Sequence, residues 1–133
     1  EARRVLKPGG ALLICHHDWL PLPGSVPHAT EFLIEAHNPR WRMGRGTGFY
    51  PAWAGDLMLA GFRGLGFGGF DHEALYPHAD WRGRVRASAG IGGAMDADAV
   101  ARFDAELEAM LEARFGEEPL RVPHRVFGIW GFR

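Results

Sequence analysis

The sequence contains a single cysteine, Cys15, among 133 residues, which excludes an internal disulfide and removes thiolate-rich zinc sites from consideration. It lacks any apolar run approaching the roughly 18 residues that span a bilayer, and Glu1 to Lys7 are too charged for the core of a signal peptide. No membrane role is expected. An excess of one charge is missing too: 15 Lys and Arg against 16 Asp and Glu leave a formal net charge of -1, so no polyelectrolyte attraction to nucleic acid or anionic lipid is written into the composition. Internal repeats and low-complexity tracts are also absent. With 47% hydrophobic and 23% charged residues, the chain has the make-up of one ordinary globular domain, and its poverty in cysteine suits a reducing cytoplasm. Small molecules or proteins are the expected partners.

Glu1 to Leu6 favour a helix, Lys7 suits its carboxyl end, and Pro8-Gly9-Gly10 stops it and turns the chain. A chain that opens without Met on the last turns of a helix suggests a piece of something longer. Ala11 to Cys15 is a short apolar run without alternation, which predicts a strand buried on both faces of a parallel sheet. His16 to Trp19 follow it, Pro21, Pro23 and Gly24 mark a loop, and Ser25 is placed to cap a helix that runs to about Ala36. Residues 38–52 intersperse Gly with Arg, Trp and Phe and predict a lid-like loop. A helix is expected from Trp53 to Ala60, a Gly-rich loop over Gly64 to Gly69, a strand from Phe70 to Tyr76, and a helix from Trp81 to Ser88. Asp96 opens the clearest helix, with Val100, Phe103, Leu107 and Leu111 on one face. Leu120 to Phe132 alternates as a last long strand, whose first part Pro123 predicts to run along an edge or a bulge.

The opening string EARRVLKPGGALLI resembles the segment that leads into the fifth strand of class I S-adenosylmethionine-dependent methyltransferases. WRGRVRASAGIG, followed by an amphipathic helix and a strand containing VPHRVFGIWGF, is similar to the tail of a bacterial branch of small-molecule methyltransferases. The resemblance covers nearly the whole chain. It implies an α/β fold, the carboxyl-terminal part of a Rossmann-like sheet: parallel fifth and sixth strands, an antiparallel seventh inserted between them, and flanking helices. It also implies that S-adenosylmethionine is held by segments that precede this chain, that the partner is a small-molecule methyl acceptor, and that the fragment alone is inactive. The strand Ala11 to Cys15 would then lack a neighbour, and an open apolar edge favours self-association. A non-enzymatic α+β module that binds a ligand or a protein is the alternative from another class.

Two glycine-rich stretches, Gly44 to Gly48 and Gly64 to Gly69, match loose nucleotide-loop patterns, but neither leaves an apolar strand to enter a helix, as a cofactor loop must. Both are therefore read as loops. His16 and His17 are the candidate catalytic residues, because the end of a strand in such a sheet faces the ligand crevice and an imidazole there can accept a proton from a substrate hydroxyl or amine. Adjacent histidines on a strand point to opposite faces, so one at most serves that role, and a solvated strand end explains them equally well. No metal site is expected, since the histidines show no short ligand spacing. Asp18 and Trp19 from the strand end, Trp41, Arg45 and Tyr50 from the lid, and Trp81 are candidate substrate contacts; packing of a long loop and a solvated basic helix account for the last four as well.

Overall fold

In the computed structural model, which describes residues 1–133, the apolar run at Ala11 extends into a nine-residue strand, β1 (Ala11–Trp19). It follows a short helix, α1 (Ala2–Val5), and the Pro8-Gly9-Gly10 turn, where Gly9 adopts the left-handed φ of 75° that glycine allows without penalty. Then come α2 (Val26–His37), α3 (Ala52–Leu59), β2 (Arg63–Tyr76), α4 (His78–Arg86), α5 (Ala97–Arg114) and β3 (Leu120–Phe132). The Ser25 hydroxyl accepts from the His28 amide at the start of α2, and the Asp96 carboxylate accepts from the Ala99 amide at the start of α5, as their residue types predict.

The three strands form one sheet in the order β1-β3-β2, and each neighbouring pair is antiparallel. The two outer strands therefore run parallel to each other. The fold is thus α/β, with a three-stranded sheet and flanking helices. No helix is long and apolar enough to cross a membrane.

The chain divides into two units. Unit 1 comprises Glu1–Asp18, Gly48–His72 and His124–Arg133. Its core is built from Leu57 and Phe62 around α3 and from Phe127 and Ile129 of β3, with Leu12 and Ile14 of β1 packed against them. The Gly9 amide donates to the Arg133 carbonyl at 3.1 Å, and the Arg133 amide to the Gly10 carbonyl at 2.9 Å, so β1 begins beside the end of β3. Unit 2 comprises Trp19–Thr47 and Glu73–Pro123. Phe103, Leu107 and Leu111 of α5, Trp81 and Val85 of α4, Ile34 of α2 and Val122 of β3 are all fully buried there. Each such side chain contributes about 1.5–3 kcal/mol relative to exposure. The α4–α5 contact is tied on its polar side by Arg82 and Arg86, which both donate to Asp104. These hydrogen bonds hold the Asp104 carboxyl below its usual range.

Two expectations are corrected here. The run Ala11 to Cys15 is not buried on both faces: it lies in an edge strand, with Leu13 59% exposed and Cys15 exposed. An apolar run shows that no side chain needs water, whereas coverage depends on what lies over each face. The stretch Gly64 to Gly69 is not a loop but the first half of β2. A Cβ on Gly66 would come within 2.5 Å of the Trp130 indole, and one on Gly69 within 2.5 Å of the Val126 carbonyl oxygen; glycine here permits close approach of two strands. Pro123 does lie along an edge: β3 is the central strand, but β1 ends at Trp19, so the first part of β3 runs on beyond it. The Pro123 carbonyl accepts from the Leu20 amide at 2.8 Å, so its missing donor also falls on that side, beyond the last residue of β1.

Candidate functional site

Because β1 continues through Trp19 instead of ending at Cys15, the period of two along a strand puts His16 and Asp18 on one face and His17 on the other. On the first face, His16 Nδ1 lies 2.8 Å from Asp18 Oδ1. A carboxylate only accepts, so Nδ1 carries the proton and Nε2 presents its lone pair away from Asp18. The Tyr50 hydroxyl donates a short hydrogen bond to the other Asp18 oxygen. Tyr50 stacks on Trp53 with ring centroids 4.3 Å apart and planes 5° apart, and His16 meets both edge-on, at 4.8 and 5.7 Å. A half-exposed imidazole, oriented by a carboxylate and bordered by two stacked aromatics, is an arrangement suited to accepting a proton from a bound ligand.

Tyr50 is held neutral in this arrangement. Burial first, then the hydrogen bond and the charge of Asp18, push its hydroxyl up to about 12. The folded value lies above the ordinary value of about 10, so the stability it contributes is complete below pH 10 and is lost as pH rises to about 12. Ultraviolet titration of the Tyr76→Phe variant, in which Tyr50 is the only phenol, should show ionisation near pH 12, and adding Asp18→Asn should lower that midpoint. A midpoint unmoved by Asp18→Asn would contradict the contact.

On the opposite face, His17 meets His72 of β2 and His124 of β3. His17 Nε2 and His72 Nε2 are 3.0 Å apart, and the rings stack, with His17 and His124 centroids 4.5 Å apart and planes 24° apart. Their planes are layered instead of converging, and no group of three or more His, Cys, Asp or Glu side chains is arranged to hold a metal ion. His17 is therefore part of a histidine stack and does not share the site of His16.

The remaining candidates belong to unit 2. Trp81 is fully buried and its indole N–H donates to Thr30 Oγ1 at 3.1 Å. Trp19 packs edge-on against it at 5.2 Å and donates to Glu31 Oε1 at 2.8 Å. Residues 38–51 form no helix or strand, and Trp41 of that segment packs on the core of unit 2. Arg45 is likewise engaged: its backbone amide donates to Glu31 at 2.6 Å and its guanidinium to Glu35 at 3.0 Å. Of the lid candidates, only Tyr50 joins the His16 site. Trp53, an aromatic at the end of the lid segment, was legible as a possible substrate contact, whereas Phe127 was not. Phe127 lies 6.0 Å from Tyr50 and 6.1 Å from Trp53, and only strand register brings it there.

No protein-family model matches this sequence, and no curated protein matches it.

Proposed function

We propose that this chain is the acceptor-side half of an S-adenosylmethionine-dependent methyltransferase acting on a small molecule. The observation that carries the reading is the strand order β1-β3-β2, with two parallel outer strands and an antiparallel one between them. That is the order the resemblance implies for the fifth, seventh and sixth strands of a Rossmann-like sheet. The unpaired outer edge of β1, with Leu13 exposed, is consistent with further strands beyond it. His16 then serves as the base. Its Nε2 accepts the proton from the acceptor's hydroxyl or amine, while Asp18 holds the ring and stabilises the imidazolium that forms.

The residues of this chain do not fit the methyl donor. In the Gly44 to Gly48 stretch the Arg45 amide is already taken by the Glu31 carboxylate, and Gly64 to Gly69 is strand packed on β3. On this reading the donor is held by residues outside 1–133. Calorimetry of the 133-residue chain should therefore show no S-adenosylmethionine binding at micromolar concentration, and micromolar binding would overturn that placement.

One observation favours the rival, a non-enzymatic α+β module that docks a protein: Leu13, Phe70, Trp130 and Phe132 of unit 1 are exposed. Incubating the intact protein with S-adenosylmethionine and small-molecule acceptors separates the two. Release of S-adenosylhomocysteine supports methyl transfer; no release with any acceptor, together with a stoichiometric complex with another protein, supports the module.

A further inference from the structure

Helix α4 carries arginines on two sides, and its neighbours treat the two sides differently. At about 100° per residue, Arg82 and Arg86 share one side of the helix, while Arg84 and Ser88, the latter just past its end, share the opposite side. Arg82 and Arg86 both pair with Asp104, and Arg82 also with Glu108. Arg84 takes part in no ion pair or hydrogen bond, and its Nε is buried without a partner. The Ser88 hydroxyl is buried without a partner as well. Buried polar side-chain atoms are normally hydrogen-bonded, and an arginine is long enough to send its guanidinium into water. Arg84 does not do so.

Trp19 holds the side chain inward. The guanidinium carbon of Arg84 lies over the Trp19 indole, 5.6 Å from its centroid, in a cation–π contact. That indole is itself fixed, edge-on against Trp81 at 5.2 Å and donating its N–H to Glu31 Oε1 at 2.8 Å. Glu31 is the acidic neighbour of this platform, yet it does not serve Arg84. One of its oxygens accepts from Trp19 and the other from the Arg45 amide at 2.6 Å. All of these residues belong to unit 2. A planar cation laid on a fixed ring, with no protein acceptor at its terminal nitrogens, is a fork already oriented for a pair of ligand oxygens.

Charge selects among the oxyanions. A guanidinium supplies a single positive charge, and the Glu31 carboxylate stands at the edge of the same indole. A monoanion matches that balance, whereas a dianion such as phosphate brings one negative charge too many. The two oxygens of a carboxylate also fit the two terminal nitrogens of an arginine. We propose that unit 2 binds the carboxylate of a small organic acid, gripped by the Arg84 guanidinium on its Trp19 platform. Rotation of Ser88 about χ1 turns its hydroxyl to the ligand as a second donor. The site rests on residues of unit 2 and on no part of the methyl-transfer reading.

The test is titration of the full chain with benzoate at constant ionic strength, followed by the nitrogen–proton resonances of Arg84 Nε and the Trp19 indole. Benzoate should bind saturably and shift both. Benzamide, which keeps the ring and lacks the charge, should not. Arg84→Gln should weaken benzoate by about 10-fold or more, the loss expected for a hydrogen bond to a charged group. Arg84→Lys, which keeps the charge without the fork, should recover only part of that loss. Arg86→Gln removes the same charge from the opposite side of α4 and should leave binding unchanged. Inorganic phosphate should bind less tightly than benzoate. A thermal melt of each variant reports whether unit 2 stays folded; if Arg84→Gln does not, Arg84→Lys and Ser88→Ala decide, and each should weaken benzoate. No saturable binding, equal losses in Arg84→Gln and Arg86→Gln, indifference to both Arg84→Lys and Ser88→Ala, or tighter binding of phosphate overturns the proposal.

Discussion

Trp81→Ala is expected to destabilise unit 2 by about 3–5 kcal/mol, the range for truncating a large aromatic in a packed core. Trp81 is fully buried and touches Trp19 at 5.2 Å and Tyr76 at 5.5 Å, both edge-on, so its removal opens a cavity between aromatic walls that cannot easily collapse. It also deprives Thr30 of a donor. The Thr30 hydroxyl still donates to the Val26 carbonyl at 2.8 Å, so the lost indole bond is a minor part of the cost. Trp81→Phe, which keeps one aromatic ring of the side chain and loses the rest of the indole with its donor, should therefore cost clearly less. Small domains are stable by about 5–15 kcal/mol, so the alanine variant should melt far below the parent or not fold. Urea denaturation followed by far-ultraviolet circular dichroism reads the difference, and a loss below about 1 kcal/mol would show that Trp81 is not packed as described.

The second large effect is on turnover in the intact protein. His16→Gln should lower kcat/KM for the methyl acceptor by about 10²–10⁴, the usual contribution of a positioned general base. The loss should fall on kcat with KM little changed, because the proton moves only as the acceptor reacts. Asp18→Asn tests the orienting role. An amide in place of the carboxylate no longer requires the proton to sit on Nδ1 and no longer stabilises an imidazolium, so activity should fall while the aromatic walls stay in place. His17→Gln is the matched control, since His17 lies on the other face with His72 and His124. Equal losses in the His16 and His17 variants would remove the case for a catalytic His16.

Local patterns predicted the parts of this molecule that depend on neighbours in sequence. The Ser25 and Asp96 caps, the apolar face of α5 and the glycine turn before β1 all follow from side-chain chemistry within a few residues. The face-to-face alternation of His16 and His17 also follows from strand period alone. The failures share one cause. Gly64 to Gly69 reads as a loop because glycine is ordinarily a breaker, and nothing nearby reveals that Trp130 and Val126 will come to lie against it.

The candidate site divides along the same line. His16 and Asp18 were legible because they follow the end of an apolar strand, where ligands bind in such sheets, and Tyr50 because an aromatic in a long loop is a reasonable contact. Trp81 and Trp41 looked equally suitable, yet Trp81 is fully buried in the core of unit 2 and Trp41 packs against that core. The amino-acid order by itself determined the helices, their caps and the opposite facing of His16 and His17, all set by interactions a few residues long. Only the tertiary structure decided that β3 lies between β1 and β2, that Phe127 faces His16, and that three histidines stack across the opposite face. Strand register joins residues more than fifty positions apart, and the hydrogen bonds that set it are made by backbone groups that every residue but proline shares.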